Sequence, residues 1–530
     1  FRQMLLLFSI VCSTLGSSYN FLVYNPQFGN SHVNFVSRLA DALIEQGHDV
    51  VMVSPRIDTL VGSPKTKARV IETDQSTEAA EFQERMNSAK GGMLSTVWQS
   101  TDVFTQRDKL RPFYANLVKQ CRWTLADREL IYLLRKEHFD AAFTEHYDSC
   151  GYVLFHLLGV EKFATVNSMA IYDGLFGVTQ LPVNPSYIPT YMGDSAGARM
   201  TFLDRLLNTL AFLKMNSFFE HHLDMYQALL DQTFCYQLNI REIMANTSLV
   251  FLNSDPLADF PKLTSPRVID IGGISVHSGH NQLDEYWMSI LNARNHTIFI
   301  SFGTLMKSHL MPAAFKETIV ATVNKFPNVT FIWKYEKPEQ NISDGIDNLV
   351  EVTWAPQHDL LHDDRLTAFI THGGQGSITE AAGAGIPLIC IPVTSDQFRN
   401  SRQAERNGVG IMIRKEDLGR MGPLEEAIER VLKDKSFNSN AVTLANMIAE
   451  RPFNMKDVFV RNMEFMTKFG PHRRFDHYGA QLTFAQYYLI DVFAFLALLV
   501  ISAVFLSLHS LKIVAGYMSG YFVVKKLKSN

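Results

Sequence analysis

Residues 366–391, LTAFITHGGQGSITEAAGAGIPLICI, leave a chain few ways to fold. Residues 366–371 form an apolar run of strand length. His372, Gly373 and Gly374 follow, and then Gly376 and Ser377 open a helix through Ile378, Ala381 and Ala382. Gly385 and Pro387 stop that helix, and residues 388–391 read as the next buried strand. Glycines at a strand-to-helix turn let backbone N–H groups close on an anion, and the positive end of the helix dipole favours a phosphate there. The spacing is not GxGxxG, so a nicotinamide-dependent dehydrogenase lacks its main signature.

The amino-terminal part repeats the strand-to-helix pattern. Residues 20–24 read as a strand. Residues 33–45 read as an amphipathic helix with Phe35, Val36, Leu39, Leu43 and Ile44 on its apolar side. Gly47 suits the helix end, and 49–53 supplies another strand. The loop 25–32 lies at the carboxyl end of the first strand, where doubly wound sheets place ligands, so His32 stands on the working face. A catalytic His needs a carboxylate to hold its tautomer. The segment 139–151 ends a strand in such groups, Glu145 and Asp148. Helices are expected over 79–86 and 117–135, and an apolar, proline-rich stretch over 163–192 that ends in the prolines of 181–189. Residues 203–234 read as a core helix, with contact to a membrane surface as the alternative. Residues 256–281, rich in Pro, Gly, Ser and His, read as the interdomain linker. Beyond it come strands at 297–302, 329–333, 349–353, 368–371 and 388–391. The expected helices there are 312–325, 397–406, 423–432 and 438–450.

At 530 residues the chain exceeds one core. A net charge of −4 with no basic stripe excludes nucleic-acid binding. Two segments are not globular. Arg2, the apolar run 4–12 and small residues to 18 form a secretory signal pattern. Residues 492–508 are uncharged and apolar, extended by Tyr487, Tyr488, Leu489 and Ile490 across Asp491, which is long enough to span a bilayer. Lys525, Lys526 and Lys528 favour a cytosolic tail and a lumenal body. Four sequons, at Asn246, Asn295, Asn328 and Asn341, suit lumenal exposure. Five scattered cysteines argue against a disulfide framework, and Cys121, Cys150, Cys235 and Cys390 are expected as buried free thiols.

The stretch 354–397 resembles the donor-binding signature of UDP-dependent glycosyltransferases of the GT-B fold, most closely the membrane-bound UDP-glucuronosyltransferases. Trp354, Pro356 and Gln357, the Thr-His-Gly-Gly core, Glu380 and the closing Asp396-Gln397 carry the resemblance. It implies that Trp354 stacks on uracil and Gln357 bonds its edge. His372, the turn from Gly374 through Gly376 to Ser377, and Ser301, Gly303 and Thr304 would hold the pyrophosphate. Glu380 would take the ribose hydroxyls, and Asp396 and Gln397 the sugar. Where relatives commonly carry Asn-Gly, this chain has Gly376-Ser377. His32 matches the family's general base. Glu145 stands where the family has the supporting Asp, and Asp148 is the other candidate.

The resemblance implies an α/β chain of GT-B type, with two Rossmann-like parallel-sheet domains facing a cleft and a carboxyl-terminal transmembrane helix. The expected division is a signal at 1–18, an acceptor domain at 19–262 and a UDP-sugar domain at 263–450. A returning segment follows at 451–486, then a membrane helix at 487–511 and a cytosolic tail at 512–530. The implied reaction is inverting transfer of a sugar, glucuronic acid first, to a hydroxyl of a small lipophilic acceptor at the endoplasmic reticulum membrane. Without an Asp-x-Asp pair, no metal or other cofactor is expected. The rivals are the same fold using UDP-glucose, a catalytically silent ligand-binding or partner-binding relative, and a nucleotide-linked oxidoreductase. Oligomeric state is open, a homo-oligomer being compatible with the sequence.

Overall fold

A computed structural model describes residues 18–59, 61–87, 93–99, 103–170, 173–175, 184–191, 197, 199–234, 237–274, 276 and 279–528. The signal pattern (all but residue 18), Cys12, Cys235 and residues 181–183 of the proline-rich stretch lie outside them. The chain divides into two compact units, Phe1–Phe475 and Asp476–Asn530.

The first unit holds two parallel sheets. The amino-terminal sheet has β1 (Asn20–Tyr24), β2 (Asp49–Pro55), β3 (Arg69–Thr73), β4 (Ala141–Glu145), β5 (Phe163–Asn167), β6 (Leu249–Leu252) and β7 (Val268–Asp270), in the order β3-β2-β1-β4-β5-β6-β7. The second has β8 (His296–Ser301), β9 (Val329–Lys334), β10 (Leu349–Val352), β11 (Leu366–Thr371), β12 (Leu388–Cys390) and β13 (Gly410–Met412), in the order β10-β9-β8-β11-β12-β13. Strand order reverses between β1 and β4 in one sheet and between β8 and β11 in the other. Each reversal opens a crevice at the carboxyl ends of its strands.

Both sheets are covered on two faces, which is why their strands read as continuous apolar runs rather than alternating ones. Phe21 and Val23 pack with Phe35, Val36 and Leu39 of the helix Asn30–Glu45. Leu22 and Tyr24 face Tyr152, Leu223 and Tyr226 on the other side. In the second sheet Ile298, Ile300 and Phe331 form one face, and Phe299, Ile332 and Phe369 the other. The helix Met455–Phe469 returns to the amino-terminal sheet, where Phe459 meets Phe143 and Phe251.

Three expectations are corrected. Cys121 and Cys150 form a disulfide, so they are not free thiols; Cys390 is the buried free cysteine among the described residues. The presumed linker contains β7, which pairs in parallel with β6, so the first sheet extends past residue 262. One helix expected over 117–135 is two, Val103–Ala126 and Arg128–Glu137. Asp127 separates them, its carboxylate accepting from the Leu130 amide as an N-cap.

In the second unit the helix Ile490–Lys528 is continuous. Its stretch Ile490–Lys525 is long and apolar enough to cross a membrane. It runs through the 511/512 boundary expected between membrane helix and tail.

Candidate active site

The first crevice gathers three side chains. Gly29, with φ of 66°, turns the chain out of β1 into the helix Asn30–Glu45, which places His32 in that helix's first turn rather than in the loop before it. A Cβ at Gly29 would stand 3.2 Å from His32 Cδ2, so both φ and space favour glycine. β4 lies beside β1 and ends at Glu145. His32 Nδ1 is 3.0 Å from each Glu145 carboxylate oxygen. Ser168, just beyond β5, completes the group. Its amide donates to Glu145 Oε1 at 2.9 Å, its hydroxyl donates to the same oxygen at 2.5 Å, and its Oγ lies 2.9 Å from His32 Nδ1. Sequence reasoning missed Ser168, which no local pattern distinguishes from any serine after a strand.

The electrostatics follow from burial. Glu145 is 1% exposed. Burial would lift its carboxyl, but the His32 charge and the His32 and Ser168 hydrogen bonds outweigh that and hold it below its ordinary value. Burial pulls the His32 imidazole down, yet Glu145, with a smaller contribution from Asp396, raises it above its ordinary value. A carboxylate at Nδ1 keeps the ring proton on that nitrogen and leaves the Nε2 lone pair available. Tyr147 stands edge-on to the ring at 5.1 Å between centroids. Phe28 lies 6.4 Å from it and packs at a tilt against Phe113 at 4.2 Å, which begins an aromatic wall.

Asp148, the other candidate beside His32, is engaged elsewhere. It accepts from Tyr24 and Tyr226 hydroxyls at 3.2 and 2.5 Å and from the Cys150 amide at 2.9 Å. Burial pushes its carboxyl up to about 6. Glu145, not Asp148, is the partner of His32.

The second crevice brings together residues from 301 to 400. Gly303, φ 81°, and Gly374 flank His372; a Cβ on either would meet its ring at 2.8 and 2.5 Å. Burial, then the Lys334 charge, lower the His372 imidazole to about 4, so it is neutral at physiological pH. Lys334, at the end of β9, donates to the Gly303 carbonyl at 2.7 Å and lies 5.5 Å from the Trp354 ring centroid. This lysine was not legible as a site residue, because it closes a strand that is buried along its whole length. Trp354 is 69% exposed, an open indole face at the crevice rim. Gln357 donates to Glu380 at 2.6 Å. Ser377 is buried in the first turn of the helix Gln375–Ala384, and a Cβ on Gly376 would meet nothing within 4 Å. Ser301 Oγ accepts from the Gly303 amide at 3.4 Å, and Thr304 follows in the same turn.

Asp396 and Gln397 open the helix Gln397–Arg406. Asn400 donates to Asp396 at 2.8 Å and to the Gly373 carbonyl at 3.0 Å, tying the carboxylate to the glycine turn. Gln397 Oε1 accepts from the Val393 and Thr394 amides at 2.8 and 3.0 Å. Ser395 sits at φ 63°, an uncommon conformation for a non-glycine residue, and its hydroxyl meets that of Tyr191 from the other sheet domain. Trp98 on Phe302, at 5.3 Å, and Lys415 on the Val97 carbonyl, at 2.6 Å, also join the two domains.

Solved structures share this architecture. The calicheamicin glycosyltransferase CalG4 aligns with a TM-score of 0.56 at 14% identity, over 86% of this chain and all of that one. The glycosyltransferase of kitacinnamycin aligns at 0.55 and 16%, over 86% and 99%. Two parallel switch-point sheets with these neighbours define a GT-B glycosyltransferase fold. The family model described as "UDP-glucoronosyl and UDP-glucosyl transferase" matches residues 21–526, and the chain belongs to that family. UDP-glucuronosyltransferase 1A7 of Mus musculus is 27% identical over 90% of this chain and 88% of its own length. UDP-glucuronosyltransferase 1A8 of Homo sapiens is 27% identical over the same shares.

Proposed function

We propose that this enzyme transfers glucuronic acid from its UDP conjugate to a hydroxyl of a small lipophilic acceptor, with inversion at the anomeric carbon. The observation that carries the reading is the His32–Glu145–Ser168 group at one switch-point crevice, with Asp396 of the other domain within electrostatic range of His32. The acceptor oxygen attacks the anomeric carbon, its proton passes to His32 Nε2, and the bond to the β-phosphate breaks with its electron pair leaving on UDP. Glu145 steadies the imidazolium.

Trp354 offers a face for uracil, with Gln357 at its edge, and Glu380 suits the ribose diol. The positive end of the helix Gln375–Ala384, with Ser377, His372 and the Ser301–Gly303–Thr304 turn, meets the charge growing on the diphosphate. Lys334 adds a cation on that side. Asp396 and Gln397 take the sugar hydroxyls. Turnover needs no metal on this reading, and EDTA leaves the rate unchanged.

The helix Ile490–Lys528 anchors the chain in the endoplasmic reticulum membrane with the folded unit in the lumen. The Cys121–Cys150 disulfide and the exposed sequons Asn295, Asn328 and Asn341 support that compartment. UDP-glucose is the second reading of the donor, favoured by Asp396, whose charge a carboxylated sugar would meet unfavourably. Purified enzyme offered each UDP-sugar separately with a phenol, with products weighed by mass spectrometry, decides between them. A conjugate heavier by a glucuronosyl group supports the first reading. A glucosyl conjugate alone replaces it.

A further inference from the structure

The loop between β12 and the helix Gln397–Arg406 is tied mostly within its own domain. The Val393 and Thr394 amides donate to Gln397 Oε1, and Asp396 accepts from Asn400. Ser395 turns the other way. Its φ of 63° is a backbone that glycine takes freely and serine takes with strain. Strain of this kind persists where the surroundings over-determine it. Here the Ser395 hydroxyl reaches across the cleft and hydrogen-bonds the Tyr191 hydroxyl.

Tyr191 is itself held in place by its own domain. Asn208, on the helix Phe202–Thr233, is buried and straps the end of the proline-rich stretch. Its Nδ2 donates to the Pro185 and Ile188 carbonyls at 2.6 and 2.8 Å, and its Oδ1 accepts from the Thr190 amide at 2.9 Å. The Tyr191 amide donates to the buried Asp173 carboxylate at 2.8 Å. Pro185 and Pro189 fix their own φ, so residues 185–191 form a stiff arm that ends at Tyr191. Asp396 and Tyr114 are both within electrostatic range of the Tyr191 hydroxyl. Tyr114 packs edge-on to Phe113 in the aromatic wall. Tyr191 therefore stands between that wall and the loop that carries Asp396.

We infer that Tyr191 and Ser395 are a positioning pair, whose hydroxyl contact sets the loop bearing Asp396 and Gln397 against the His32 domain and so holds the donor sugar in line with the acceptor oxygen. The inference rests on reading Asp396 and Gln397 as the sugar-binding residues, and it gives the proline-rich stretch a function. The pair acts through Asp396, not on the reacting atoms. UDP alone carries no sugar, so its binding is independent of the contact.

The test uses the full chain with the UDP-sugar it turns over fastest and a phenol. Ser395→Gly deletes the hydroxyl and relieves the backbone, and Tyr191→Phe deletes the partner hydroxyl while keeping the ring. Each should lower kcat by about 10–100-fold, with the dissociation constant for UDP by calorimetry unchanged. The melting temperature of Ser395→Gly should stay within about 4 °C of the wild type. The double variant should be no slower than the slower single one, because both remove the same contact. A kcat near that of the wild type in either single variant, or losses that multiply in the double variant, overturns the pairing. A fall in kcat matched by a fall in UDP affinity or in melting temperature assigns the contact to stability and overturns it as well. An active wild type with unaffected variants removes this inference alone. A wild type that converts no UDP-sugar removes the proposed function, and the inference with it.

Discussion

His32, in the first helical turn after β1, faces Glu145 at the end of the adjacent parallel strand β4, with the imidazole Nδ1 3.0 Å from both carboxylate oxygens. Only the reversal of strand order between β1 and β4 brings residues 113 positions apart to this distance. Glu145→Gln keeps the shape of this contact but loses the charge that steadies an imidazolium. Turnover should fall by about 10²–10⁴-fold, while UDP affinity by calorimetry stays within twofold. A matching loss of UDP affinity would show that the substitution damaged the fold.

The same contact predicts the pH profile. As a base His32 must be neutral, and its pKa is raised, so kcat/KM should climb through a limb lying above the ordinary histidine value. Glu145→Gln removes the main raising influence and leaves burial, so the residual activity should show its limb at lower pH. For stability the signs are opposite. The raised His32 contributes stability that is full below its unfolded pKa and lost as pH rises through the folded one. The lowered Glu145 contributes stability that is present above its unfolded pKa and lost as pH falls through the folded one.

Asp148 gives the contrasting case. Asp148→Asn should leave turnover within about threefold, since hydrogen bonds to tyrosines and a backbone amide hold a loop, not a base. Its folded pKa is raised to about 6, so the protonated carboxyl contributes stability that is full below its unfolded value and lost as pH rises through 6. The wild type should therefore lose on the order of 1–3 kcal/mol relative to the variant between pH 4 and 7. Urea titrations at the two pH values measure this. A flat difference would remove the buried-acid assignment.

Donor binding separates into base and phosphate parts. Trp354→Ala should weaken uridine and UDP alike, by about 1–3 kcal/mol. Lys334→Met should weaken UDP by about 10–100-fold and uridine hardly at all. Equal losses for both ligands would place Lys334 in structure rather than anion recognition.

How much of this was legible follows from how local each signal is. The glycine turn at 372–377 and the strands around it are set by contiguous residues, and the structure has β11 ending at Thr371 and a helix starting at Gln375 on either side of that turn. Glu145 ends β4 and His32 opens the helix that follows the neighbouring β1, so topology could pair them without side-chain detail. Ser168 follows β5 and Lys334 closes β9, where side-chain direction depends on neighbouring strands. The short β7 hid among prolines and glycines because three residues carry no period. The disulfide joins the helix Val103–Ala126 to the helix Cys150–Leu157, and their approach is a matter of tertiary packing.

That disulfide closes a loop with a sequence separation of 29. Cys121→Ser with Cys150→Ser should lower stability by about 2–4 kcal/mol, read by denaturant unfolding. Non-reducing mass mapping should find Cys121 and Cys150 in one linked peptide pair. Free alkylation of both thiols in the native protein would contradict the assignment.

The central claim is that His32 strips the proton from the acceptor while UDP is held independently in the opposite domain. Steady-state turnover of His32→Ala with a UDP-sugar and a phenol, set beside UDP affinity by calorimetry, tests it most directly. The account predicts that turnover falls at least about 100-fold and the dissociation constant for UDP stays within twofold. Turnover within threefold of the wild type, with UDP still bound, would contradict it.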